Sequence, residues 1–138
     1  MIYALDTNVI SHLLRPGYNV EVVRCFESAM ELGHDYVIPP LSYYEIVWWL
    51  LHKKATAQLR VFQEFYQNAF VREGMDESDI YRAAQIRAEL TQQGQPIGKS
   101  DSDIFIAAYC LNRDYTLVTH NLSDFERIDG LKIVNWKG

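Results

Sequence analysis

The sequence predicts an α/β fold, a parallel sheet with helices on both faces. Three observations predict it. Short apolar runs bounded by turn residues alternate with longer stretches of helical periodicity. Several of those runs, such as "IYAL" and "YTLVT", are nearly continuous in apolar character, as strands buried on both faces are. Polar residues follow two of them, Asp6 and Thr119-His120-Asn121, at the carboxyl ends where open parallel sheets bind ligands.

Residues 2–5, "IYAL", read as the first strand. "DTNVISHLLR" starts a helix with Asp6, Thr7 or Asn8 as candidate caps, and Pro16-Gly17 stops it. In 20–32, Val22, Val23, Phe26, Ala29 and Met30 recur at helical spacing, and Gly33 ends the run. "YVIP" at 36–39 is a second strand, closed by Pro39-Pro40. The helix from 41 to 52 is apolar almost all round, so part of it is deeply buried or faces a partner. Trp48-Trp49 therefore reads either as core or as an interface.

A helix over 56–70 carries Leu59, Phe62, Tyr66 and Phe70 near one stripe, and Val71 begins a short strand. A helix over 76–92 turns Ile80, Ala83, Ala84 and Leu90 inward, and "QQGQPIG" is a loop. "SDSDIFIAAYCLN" is a helix with Ile104, Ala107, Ala108 and Leu111 on its buried face. Strands over 115–119 and 132–136 complete the set. There is no internal repeat, low-complexity segment or linker, which makes residues 1–138 one domain.

A chain of 138 residues, 49% hydrophobic and 13% aromatic, has the material for a proper core and is not disordered. Its net charge of −5 matters for function. Proteins that hold nucleic acid by surface charge are basic. This chain must read phosphates locally, through a metal and a few cations, or not at all. Cys25 and Cys110 lie in helical patterns without zinc-ligand spacing and read as small buried hydrophobes in a reducing cytosol. The start "MIYALD" lacks a signal peptide's basic and apolar regions. No run approaches the roughly 20 apolar residues of a membrane span. A cytoplasmic protein is expected.

Four acids stand at the ends of apolar runs or inside them: Asp6, Glu45, Asp103 and Asp124. Ionised carboxylates beside a core are costly unless compensated. Four that converge would suit a hard divalent cation, and such a cation suits phosphate chemistry. Each acid also has a structural reading. Asp6 can cap a helix, although Thr7 or Asn8 would suffice. Glu45 can point to solvent or pair with a cation. With Ser100 as N-cap, Asp103 falls at the third helical position, where a carboxylate favours the dipole. Asp124 sits in "NLSDFERI", where Asn121 or Ser123 can cap a short helix. Asp101 competes with Asp103 for either role.

Three segments in order, "ALDTNVISHLL", "DIFIAAYCL" and "LVTHNLSDFERIDGLKIVNW", together with a lone Glu45 in an early helix, resemble the PIN-domain ribonucleases. Within that family they look most like the VapC toxins of toxin–antitoxin pairs. The resemblance is colinear over essentially the whole chain. It implies a three-layer α/β/α fold with a central parallel sheet. It implies an endoribonuclease that depends on one or two Mg²⁺ or Mn²⁺ ions and cuts structured RNA such as tRNA or rRNA. It also implies a cognate VapB-like antitoxin and a homodimer.

Carried over by position, Asp6, Glu45, Asp103 and Asp124 match the four family acids that bind metal. Thr7, Asn8, Thr119 and Asn121 match residues that hold the carboxylates or the attacking water. Asp101 remains an extra acid beside the third position. Many relatives carry an Arg-Gly pair soon after the second acid, and this chain has "EIVWWLL" instead. For RNA contact, Lys99 leads because it precedes the third acid, with Arg15, Lys53, Lys54 and Arg113 behind it; each also reads as a solvated charge. His120 reads as incidental.

Two other classes fit the sequence less well. A catalytically inactive PIN-like RNA- or protein-binding module would not need all four acids. A phosphatase or receiver-type domain would need a phosphate-binding loop or paired early acids, and Asp6 stands alone without either.

Overall fold

Helices connect each strand of the sheet to the next, and all the pairings are parallel. The computed structural model describes residues 1–15, 19–95 and 101–136. The described elements are β1 (Ile2–Leu5), α1 (Thr7–Leu14), α2 (Val20–Glu31), β2 (Asp35–Val37), α3 (Pro40–His52), α4 (Thr56–Ala69), α5 (Glu77–Gln92), α6 (Ser102–Arg113), β3 (Thr116–Val118), α7 (Leu122–Phe125) and β4 (Lys132–Val134). The strand order is β2-β1-β3-β4. From β1 the chain first goes to one neighbour, β2, and later to the other, β3. The topological switch point, where open α/β sheets form their ligand crevice, therefore lies between β1 and β3.

Alternation along the strands divides the core in two. Ala4, Val37 and Leu117 face a cluster built by α5 and α6, including Ala83, Ile86, Ile104 and Ala107. Leu5, Tyr36, Ile38 and Val118 face a second cluster with Val9, Val22, Phe26, Ile46 and Phe62 from α1 to α4. Helix, sheet and helix thus form three layers. Full burial of each such aliphatic side chain stabilises the fold by about 1.5–3 kcal/mol.

Local signals set the helix ends. Pro40 occupies the first helical position of α3, where its missing N–H costs nothing. Asp76 and Asp79 close a reciprocal capping box on α5. Gly33, at φ +83°, turns the chain out of α2, with its N–H on the Met30 carbonyl and that of His34 on the Ala29 carbonyl. Pro16-Gly17, Ser100 and the end of the "QQGQPIG" loop lie outside the described residues.

Several expected details are corrected. Met30 is 45% exposed, and α2 buries Val22, Phe26 and Ala29. On α5, Ile80 is 53% exposed and Ala84 is exposed as well, while Asp79 is fully buried with Ala83, Ile86 and Leu90. That helix is rotated to bring Asp79 to Arg113 of α6, whose guanidinium nitrogens donate to its carboxylate at 2.6 and 2.9 Å. Val71 forms no strand; its N–H makes a single bond of 2.7 Å to the Tyr36 carbonyl at the open edge of β2. β4 stops at Val134, yet Trp136 is buried in the second cluster. α6 begins at Ser102 with Asp101 in the cap position, so Asp103 is the second helical residue rather than the third. Cys110 is buried as expected, and Cys25 is only partly so. No described helix is long and apolar enough to cross a membrane.

Candidate active site

The crevice at the switch point collects acids from four elements. Asp6 follows the last residue of β1 and keeps an extended backbone, with its N–H on the Val118 carbonyl at 3.0 Å. It therefore occupies the cap position of α1, and Oδ1 accepts the Thr7 N–H at 2.8 Å. The reading in which Thr7 or Asn8 does the capping is thus corrected, because β1 passes directly into the helix at Asp6. Capping uses one oxygen. Oδ2 accepts from the Thr119 hydroxyl at 2.9 Å, and the Ser42 hydroxyl lies 3.4 Å from Oδ1. Burial raises the pKa of this carboxyl, and the bonds from Thr7, Thr119 and Ser42 oppose that rise.

Glu45 projects from the middle of α3, and its Oε1 accepts from the Thr7 hydroxyl at 3.1 Å. Its pKa is also raised, by burial first and further by the Asp6 charge, against the Thr7 bond. Asp103 stands in the first turn of α6. Burial, followed by the charges of Asp6, Glu45 and Asp124, pushes its carboxyl up to about 6. Asp103 thus sits in the field of the other three acids. Asp124, in α7, accepts from the Asn121 side-chain amide at 2.6 Å and from Arg127 at 3.1 Å. The Asn121 N–H in turn donates to the Thr119 hydroxyl oxygen at 3.0 Å. Asn121 occupies the cap position of α7 without a side-chain cap bond, and its Nδ2 donates to Asp124.

The structure sorts the remaining candidates. Asp101 points away into an ion pair with Arg87 at 2.8 Å. Asn8 is exposed and makes no described hydrogen bond to the acids; it lines the cleft beside them with Arg15 and Lys53. Lys54 does not line that cleft. Arg113, expected as a candidate RNA contact, is instead held in an ion pair with the buried Asp79 carboxylate. Lys99 lies outside the described residues. The His120 ring packs edge-on against His12 of α1 with centroids 4.7 Å apart.

Two residues were missed from sequence. Ser42 is fully buried and reaches Asp6; its place three residues before Glu45 on one helix put it on the same face. Arg127 follows Asp124 at the same spacing and pairs with it.

All the site's donors are oxygens, and their like charges make added protons or cations favourable. Among the described residues, no three acidic, histidine or cysteine side chains stand close enough together to enclose an ion. Oxygen donors of this kind are the ligands that a hard divalent cation takes.

The family model described as "PIN domain" matches residues 3–131. The chain belongs to the PIN domain family. This PIN domain is 41% identical over 61 residues to a tRNA(fMet)-specific endonuclease VapC of Salmonella typhimurium; that stretch covers 44% of this chain and 45% of the relative, less than half of either. It is 26% identical over 137 residues to Ribonuclease VapC1 of Haemophilus influenzae, covering 99% of this chain and 98% of that one. The crystal structure of DNA-bound VapBC from Salmonella typhimurium superposes on it with a TM-score of 0.84 at 26% identity, over 99% and 98% of the two chains. The three-layer architecture expected from the resemblance is therefore that of solved relatives.

Proposed function

We propose that this PIN domain is a metal-dependent endoribonuclease, the toxin of a toxin–antitoxin pair. The observation that carries the reading is the placement of Asp6, Glu45, Asp103 and Asp124 in one electrostatic field at the switch point. The full-length likeness to proteins named ribonucleases supports it.

Asp6, Glu45 and Asp103 would hold one Mg²⁺ or Mn²⁺, directly or through water, and Asp124 would help a second ion or position water. When bound, such an ion lowers the pKa of water and neutralises charge on the leaving oxygen of a phosphodiester. The chain's own groups do the holding. Thr119 and Thr7 fix the Asp6 and Glu45 oxygens, and Asn121 and Arg127 fix Asp124. Carboxylates tied down in this way cost little reorganisation during reaction. Nothing favours the inactive binding module, since all four acids are retained at the crevice.

The substrate class is structured RNA such as tRNA or rRNA, and one relative's name specifies a tRNA. A VapB-like antitoxin is the expected partner, supported by the solved VapBC complex. A homodimer is supported by the outer face of α3, where Tyr44, Trp48 and Leu51 stay exposed on the isolated chain. Trp48 is half exposed and so is not core on the isolated chain, which supports the interface reading. The compartment is the cytoplasm. Incubation of the purified, antitoxin-free chain with total tRNA and Mg²⁺ or Mn²⁺ tests the function. Discrete fragments that disappear with EDTA are expected; intact tRNA, rRNA and mRNA under all conditions would contradict it.

A further inference from the structure

A cleft of about 540 Å³ opens beside the acids, lined by α1, α3 and α4. That volume lies within the range of small-ligand pockets, about 300–1,000 Å³. Thr7, Asn8 and Glu45 belong both to its wall and to the candidate active site, so the two are continuous. The remaining wall has two characters. Ile46, Leu50 and Trp49 give it an apolar side, and Arg15 and Lys53 give it two cations.

We infer that this cleft is a nucleotide subsite, which seats the base of a residue flanking the scissile phosphate on Trp49 and the adjoining backbone phosphate against Arg15 and Lys53. The inference rests on the ribonuclease reading and adds to it the residues that would set where the RNA lies. Three observations favour it.

Trp49 is 49% exposed, an indole left facing solvent at the mouth of a catalytic crevice. Its neighbours fix it there: Trp48 stacks on it with centroids 5.9 Å apart, and the Lys53 ammonium lies 5.3 Å from its ring. Base–aromatic stacking on such a platform is worth about 1–3 kcal/mol per base.

Arg15 and Lys53 are exposed and form no ion pair with a described carboxylate. In a chain of net charge −5, two cations without a described carboxylate partner on the cleft that Glu45 lines mark the place for an anion. An apolar polypeptide segment would use Trp49 and Ile46 but would bring neither cation an anionic partner. A nucleotide uses the platform and the cations together.

The continuity of the cleft with Glu45 supplies the geometry. A chain whose phosphate lies at the acids must leave the crevice along a wall, and this wall is positive and aromatic while the chain as a whole is negative.

The test is fluorescence anisotropy with 5′-fluorescein octariboadenylate in Mg²⁺ buffer, on the Asp103→Asn chain so that no turnover occurs. Trp49→Ala in that background should weaken binding about tenfold, within the range for loss of one stacked base. Trp49→Phe should retain most of the affinity, and thermal unfolding of both variants should match the parent. Arg15→Gln and Lys53→Gln should each reduce the slope of log affinity against log salt by about 0.7, the value for one phosphate on a single strand. With a base-free tetrahydrofuran-phosphate octamer, the Trp49→Ala deficit should vanish.

Unchanged octamer affinity and salt slope in the three truncating variants would overturn the subsite and leave the cleft to a polypeptide partner. Failure of the unsubstituted chain to cut RNA would bring down the ribonuclease reading separately, because octamer binding is read without cleavage.

Discussion

The Thr119 hydroxyl donates to Asp6 Oδ2 at 2.9 Å across 113 positions of sequence, tying the ends of the two central strands together. The same oxygen accepts the Asn121 N–H, and Asn121 holds Asp124. One threonine therefore links the first acid to the fourth. Thr119→Val removes both bonds. Loss of a bond to a buried charged group should cost about 1–3 kcal/mol of stability in urea unfolding. Cleavage should fall about 10- to 100-fold, as for lost outer partners of metal ligands. Wild-type cleavage by Thr119→Val would show that the link has no part in catalysis.

Metal-free stability should depend on pH with a definite sign. The Asp103 carboxyl is pushed up to about 6 in the folded chain, by burial and then by its acidic neighbours, against about 3.9 in the unfolded chain. Between those values the folded state holds more protons, so stability is fully present below pH ~4 and is lost as pH rises to ~6. Denaturation in EDTA should show a higher midpoint at pH 5 than at pH 7. Asp103→Asn should flatten that difference, and Mg²⁺ at pH 7 should restore stability by binding the ionised acids. An identical profile in Asp103→Asn would contradict the repulsion described.

Asp79 and Arg113 form the other charged centre, and its role is structural. The carboxylate is fully buried and accepts from Arg113 and from Asn112 at 2.8 Å. The guanidinium also lies 4.0 Å from the Tyr109 ring. Arg113→Ala strands a buried charge and should cost about 3–5 kcal/mol. Cleavage per folded molecule at low temperature should not change. A loss of RNA affinity in folded Arg113→Ala would return this arginine to the substrate path.

The exposed face of α3 makes a separate prediction. Trp48 is 52% exposed on the isolated chain, so Trp48→Glu should fold with little loss of stability. If α3 forms the dimer interface, light scattering should report a monomer for Trp48→Glu and a dimer for the parent. A dimer of undiminished affinity in Trp48→Glu would place the interface elsewhere.

Much of this was legible in the sequence. Strands β1 and β3 are apolar runs ended by polar residues, and that pattern alone put Asp6 and Thr119 at one crevice. The fold followed from the alternation of runs. What stayed hidden depended on long-range partners. Ile80 and Asp79 are adjacent, and which one faces inward is decided by Arg113, 34 positions away. The choice between Asp101 and Asp103 likewise depends on Arg87, which draws Asp101 outward. Helical spacing reports a stripe but cannot report that its centre is an ion pair. Trp48 reads from the sequence as either core or interface, and the packed chain shows it facing out.

Carboxylates from four elements are proposed here to make one site for a divalent cation. Calorimetric titration of Mn²⁺ into the wild-type chain and into Asp6→Asn tests it most directly. Saturable binding of one or two ions to the wild type, weakened at least tenfold in Asp6→Asn, is expected. Wild-type affinity in Asp6→Asn, or no binding to either folded chain, would contradict it.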